Sequence, residues 1–113
     1  MCTGFIPFVK GDKLYIYPPF TGQNTNNAIN FYDGSYTNLG QVTDSGARYG
    51  ICVNAETEFK AKVVNGVSVL DISAVTVSGV ENIAYVRVTN DRYARENESG
   101  AGMIITKNEE IEL

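Results

Sequence analysis

The chain has 113 residues, of which 43% are hydrophobic, 11% aromatic and 19% charged, and nine basic against thirteen acidic side chains leave a net charge of -4. That apolar share supports a single folded domain over residues 1–113, burying about 65% of its unfolded surface, and excludes a charge-driven disordered chain. The acidic balance gives no electrostatic hold on nucleic acid or on an anionic membrane. With no histidine, no tryptophan and two cysteines, the usual general base and any Cys-rich zinc framework are missing.

The first residues, Met1-Cys2-Thr3-Gly4-Phe5, carry neither a basic start nor an apolar core, so the expectation is a cytosolic chain without a secretion signal. The longest apolar stretch, Val67 to Val80, is interrupted by Ser68, Asp71, Ser73, Thr76, Ser78 and Gly79 and is too broken to span a membrane. In a reducing compartment Cys2 and Cys52 are expected to stay unpaired, with Cys52 acting as a small buried hydrophobe between Ile51 and Val53.

Twelve valines, nine isoleucines and nine threonines against four leucines favour strands, and almost no helix is expected. In chain order the predicted strands are Phe5 to Lys10, Lys13 to Tyr17, Ala28 to Tyr32, Arg48 to Asn54, a hairpin around Asn65-Gly66, Val75 to Ser78, Ile83 to Asn90 and Met103 to Lys107. Pro18 to Asn27 and Asn90 to Gly100 read as projecting loops. In the hairpin, Thr57 to Val64 alternates polar and apolar and runs into Asn65-Gly66, the dipeptide suited to a type I′ turn. Register then sets Val64 against Val67, Ala61 against Leu70, Lys60 against Asp71 and Phe59 against Ile72. Phe59, Ala61, Val63, Leu70 and Ile72 fall on one face. Short strands joined by hairpins, with no helices to cover a parallel sheet, predict an all-β antiparallel sandwich or barrel.

Without histidine, nucleophilic catalysis would depend on lysine or a carboxylate as base, and no enzyme activity is expected. The pairs Glu56/Glu58 and Glu110/Glu112 alternate with other residues as solvated strand faces do. Asn90, Asp91, Glu96 and Glu98 do not follow the spacing of a calcium loop, so neither metal nor cofactor is expected. Tyr15, Tyr17, Tyr32 and Tyr36 cluster with Phe20 and Phe31 in the first third. They fill a core, or they present a glycan-stacking platform or a protein interface. Ile51-Cys52-Val53, Met103-Ile104-Ile105 and parts of Val67 to Val80 are apolar at consecutive positions, which predicts strands covered on both faces. One sandwich has one interior, so the second face calls for a neighbour, and Met103, Ile104 and Ile105 are the interface candidates.

The C-terminal half, from Arg48-Tyr49-Gly50-Ile51-Cys52-Val53-Asn54 through Val80 to Thr89 and on to Met103 to Ile111, resembles small bacteriophage head-fibre or capsid-decoration proteins. The resemblance implies a non-enzymatic virion component, made in the host cytoplasm and carried on the virion surface. It further implies a homotrimer attached to the major capsid protein of a phage head. The chain departs from a fibre in lacking a repetitive stalk. The same fold is compatible with an alternative, a glycan-binding module using Tyr15, Tyr17, Tyr32 or Tyr36.

Overall fold

The computed structural model describes residues 2–20, 27–43, 45–89 and 103–113. Its strands are β1 (Ile6–Pro7), β2 (Lys13–Tyr17), β3 (Ala28–Tyr32), β4 (Asn38–Thr43), β5 (Gly46–Gly50), β6 (Lys62–Val64), β7 (Val67–Asp71), β8 (Tyr85–Thr89) and β9 (Ile104–Lys107). They form a five-stranded sheet in the order β1-β8-β3-β4-β5 and a four-stranded sheet in the order β6-β7-β2-β9. Every pairing is antiparallel. The chain changes sheet repeatedly, and the two layers share one core, so the all-β fold is sandwich-like.

Alternation explains which side chains meet in the core. Leu14 and Ile16 of β2, Ile29 and Phe31 of β3, Leu70 of β7 and Val86 and Val88 of β8 all point inward and are buried. Register places them side by side: Leu14 faces Leu70, Phe31 faces Val86, and Ile29 lies between Val42 and Val88. Each such burial contributes about 1.5–3 kcal/mol before the entropy of ordering is charged against it. Ser68, the polar residue in this inward set, is satisfied because its Oγ accepts a 2.7 Å bond from the Phe20 N–H.

β2 and β3 have the predicted bounds, and the Asn65-Gly66 hairpin has the predicted register, with Val64 opposite Val67. Asn65 and Gly66 adopt φ of 51° and 80°, the left-handed pair that a type I′ turn requires. The first strand of that hairpin is shorter than predicted, because Glu56–Phe59 is a helical turn, α1. Phe59 and Leu70 are still buried, but Val63 is half exposed at the sheet edge. Asp71 meets Lys13, directly opposite on β2 at 4.0 Å, in place of the predicted Lys60.

Three further segments differ from the expectation. No strand is predicted over β4, where Gly40 interrupts the apolar pattern, yet Gly40 is demanded by close packing. A methyl group there would lie 2.9 Å from the Tyr49 carbonyl oxygen and 3.1 Å from Cys52 Sγ. Opposite it, Gly50 has φ of 72° and ends β5, so Ile51–Ala55 is a 3-10 helix and not the predicted strand to Asn54. This segment leads the chain from one sheet to the other, with Cys52 buried and Val53 exposed. Val75 to Ser78 is also no strand. Val75 N–H bonds back to the Ile72 carbonyl at 3.0 Å, and a chain of turns puts Ile72, Val75, Val80 and Ile83 into the core.

The expected double-sided apolar strands are therefore mostly covered within the chain. Met103 and Ile105 pack against the core, and Ile104 is exposed. Cys2 and Cys52 are both free thiols. The loop from Asn90 to Gly100, the calcium-ligand candidates in it and most of the Pro18 to Asn27 loop lie outside the described residues.

Candidate binding faces of the two sheets

The four candidate tyrosines separate onto opposite sides of the sandwich. Tyr32 and Tyr36 belong to the five-stranded sheet and its β3–β4 turn, while Tyr15 and Tyr17 belong to β2 in the four-stranded sheet. Alternation with buried Leu14, Ile16 and Phe31 directs Tyr15, Tyr17 and Tyr32 away from the core.

On the five-stranded sheet, residues directly opposite one another share a face, so register writes out the outer surface in rows. One row runs Pro7, Tyr85, Tyr32, Asn38 across β1, β8, β3 and β4. The next runs Arg87, Asn30, Gln41, Tyr49 across β8, β3, β4 and β5. Phe5, just before β1, sets its ring edge-on to Tyr32 at 4.9 Å and to Tyr36 at 4.8 Å between centroids. Tyr36 stacks on Tyr85 at 4.9 Å with 20° between the planes. The Arg87 guanidinium lies 5.2 Å from the Phe5 centroid, and its Nε donates to the Thr3 carbonyl oxygen at 3.1 Å.

Tyr36 reaches this cluster through an unusual backbone. Its φ is 64°, a left-handed conformation that costs a bulky residue about 1 kcal/mol or more. Asp33 holds it there: Asp33 Oδ1 accepts from Ser35 N–H at 2.8 Å and Thr37 N–H at 3.0 Å, and its carbonyl oxygen accepts from Tyr36 N–H at 3.0 Å. The Tyr85 hydroxyl is held above the usual phenol range by its hydrogen bond to the Tyr36 hydroxyl, and next by repulsion from a charged Tyr36.

Beside the rings is an amide network. Asn30 Oδ1 accepts from Tyr49 OH at 3.0 Å, Gln41 Nε2 at 3.1 Å and Asn38 Nδ2 at 3.3 Å, and Asn38 Nδ2 also reaches Tyr49 OH at 3.2 Å. Neither Phe5 nor Tyr85 nor the amides were among the sequence-level candidates. Tyr85 and Arg87 were legible, because Tyr85-Val86-Arg87-Val88 alternates and puts both outward.

The outer side of the four-stranded sheet is different. Asn108, at φ 61°, follows β9 and ties its end to β2: its N–H donates to the Lys13 carbonyl oxygen at 2.8 Å, and its Oδ1 accepts from Lys13 N–H at 2.8 Å. A cleft of about 230 Å³ is lined by Tyr15, Val64, Val69, Ile111 and the charged Lys13 and Asp71. Further along, Tyr17 lies opposite Ile104, and both are exposed, at 36% and 45%. Glu58, Glu110 and Glu112 are exposed, and none of them lies on a strand.

Among the described residues, no three of the histidine, cysteine and acidic side chains are grouped to hold a metal ion. Burial pushes the Cys52 thiol up to about 12, so it is no nucleophile near neutral pH. No helix of the described residues is long and apolar enough to cross a membrane. No family model, curated protein or solved structure matches the chain.

Proposed function

We propose that the protein is a non-enzymatic structural component of a virion, decorating a phage head or forming the base of a head fibre, and that it acts by self-association. The observation that carries this reading is the placement of exposed apolar side chains on the two edge strands of the four-stranded sheet. Val63 and Val64 of β6 are 52% and 51% exposed, and Ile104 of β9 stands beside exposed Tyr17. Met103 and Ile105 anchor β9 on the core, which leaves Ile104 as the member of the predicted interface trio that meets a neighbour. The resemblance of the C-terminal half to capsid-decoration proteins supports the same reading, with the major capsid protein as the further partner and the virion surface as the location.

The test is the native mass of the purified protein by light scattering or native mass spectrometry. A trimer is expected at micromolar concentration. Ile104→Asp, which places a charge on exposed surface without disturbing the core, is expected to shift it to monomer. A wild-type monomer at these concentrations would sink self-association through this sheet.

A further inference from the structure

We propose that the outer face of the five-stranded sheet is a binding site for a neutral oligosaccharide. It lies on the opposite side of the sandwich from the Tyr17 and Ile104 surface, so it stands or falls independently of self-association.

Two features of the face fit a sugar. Exposed rings offer flat apolar surface for the C–H faces of a pyranose, and Tyr36, 54% exposed, is the outermost of them while its other side rests on Tyr85. In the adjoining row, three donors converge on Asn30 Oδ1, an atom with two lone pairs. Asn38 Nδ2 has Tyr49 OH as a second partner, whereas the Gln41 amide keeps one N–H and its carbonyl oxygen without a partner among the described residues, and a ligand hydroxyl can use both. With strands about 4.8 Å apart, the two rows of four positions extend roughly 14 Å, long enough for more than one sugar ring.

The local backbone supports a built site. A turn that needed only to join β3 to β4 would place glycine or asparagine in the left-handed position, and Gly34 stands two residues away. Here the left-handed position holds Tyr36 and the Asp33 carboxylate stabilises it, and the result is a ring laid over Tyr85. Nothing among the described residues of the face is built to hold the carboxylate of an acidic sugar. No carboxylate lies in either row, and Arg87, their one cation, already has its guanidinium against Phe5 and its Nε on the Thr3 carbonyl. The aromatic row by itself would also suit a protein partner, since tyrosine and arginine are enriched at protein interfaces, and the Gln41 amide in the adjoining row is what favours a hydroxyl-rich ligand.

The experiment is a glycan array carrying neutral and acidic oligosaccharides, followed by calorimetric titration of the best neutral hit. Tyrosine emission gives a second signal, since the chain has no tryptophan. Tyr36→Ala and Gln41→Ala are each expected to weaken binding by about tenfold or more, while Tyr36→Phe, which keeps the ring, retains it. Tyr17→Ala and Ile104→Asp are expected to leave sugar binding unchanged, and Tyr36→Ala to leave the native mass unchanged. The proposal is overturned if no neutral oligosaccharide binds at millimolar concentration, if only acidic ones bind, or if Tyr36→Ala binds as the wild type does.

Discussion

Gly50 and the surface aspartates show how single residues set limits on this fold. A methyl group on Gly50 would come 2.1 Å from the Leu39 carbonyl oxygen and 2.5 Å from Gly40 Cα, and the φ of 72° is itself unfavourable for alanine. Gly50→Ala is expected to cost about 3 kcal/mol, read as a fall in the chemical-denaturation midpoint. Asp12 is held below the usual carboxylate range first by the Asn108 amide and then by the Val9 N–H. Asp71 is held below it by the Ser73 hydroxyl and then the Ser73 N–H. A carboxyl group that is more acidic folded than unfolded stabilises the fold fully above its unfolded value, about pH 4, and loses that contribution as pH falls through the lowered value. The melting temperature is therefore expected to fall below about pH 4, and Ser73→Ala to flatten part of that fall. An identical acid profile in the variant would show that Asp71 has no share in it.

At the scale of elements, the hairpin of β6 and β7 is where local chemistry acts most directly. Both central turn residues have positive φ, so Val-Val in place of Asn65-Gly66 is expected to destabilise the protein by about 1–3 kcal/mol, and an unchanged thermal midpoint would contradict the turn type. β2, β3 and the β6–β7 turn were legible because alternation, β-branched content and turn residues agree there. β4 was not, since Gly40 reads as a breaker until Gly50 and Cys52 are seen pressed against it. Ile51-Cys52-Val53 failed in the opposite direction. An apolar run has no periodicity to distinguish a strand from a 3-10 turn, and only the left-handed Gly50 decides between them.

For the whole molecule, one core joins both sheets, and Phe59 is the link that α1 adds to it. It is fully buried and meets Phe31 edge-on at 5.3 Å between centroids. Phe59→Ala is expected to cost about 3–5 kcal/mol in a single cooperative transition, because the cavity lies between the layers. Two transitions by calorimetry would mean that the sheets unfold separately. The sequence by itself determined the all-β class, the two best strands and the hairpin register, since these follow from period-two alternation and from which residues tolerate positive φ. Tertiary structure alone decided that Tyr32 and Tyr36 join Phe5 and Tyr85 while Tyr15 and Tyr17 face the other way, and that Met103 and Ile105 turn inward while Ile104 stays out. The physical reason is that alternation fixes which side of its own strand a residue occupies. Which strands become neighbours depends on where the chain crosses between sheets, and here those crossings are made by non-periodic segments such as Ile51–Ala55.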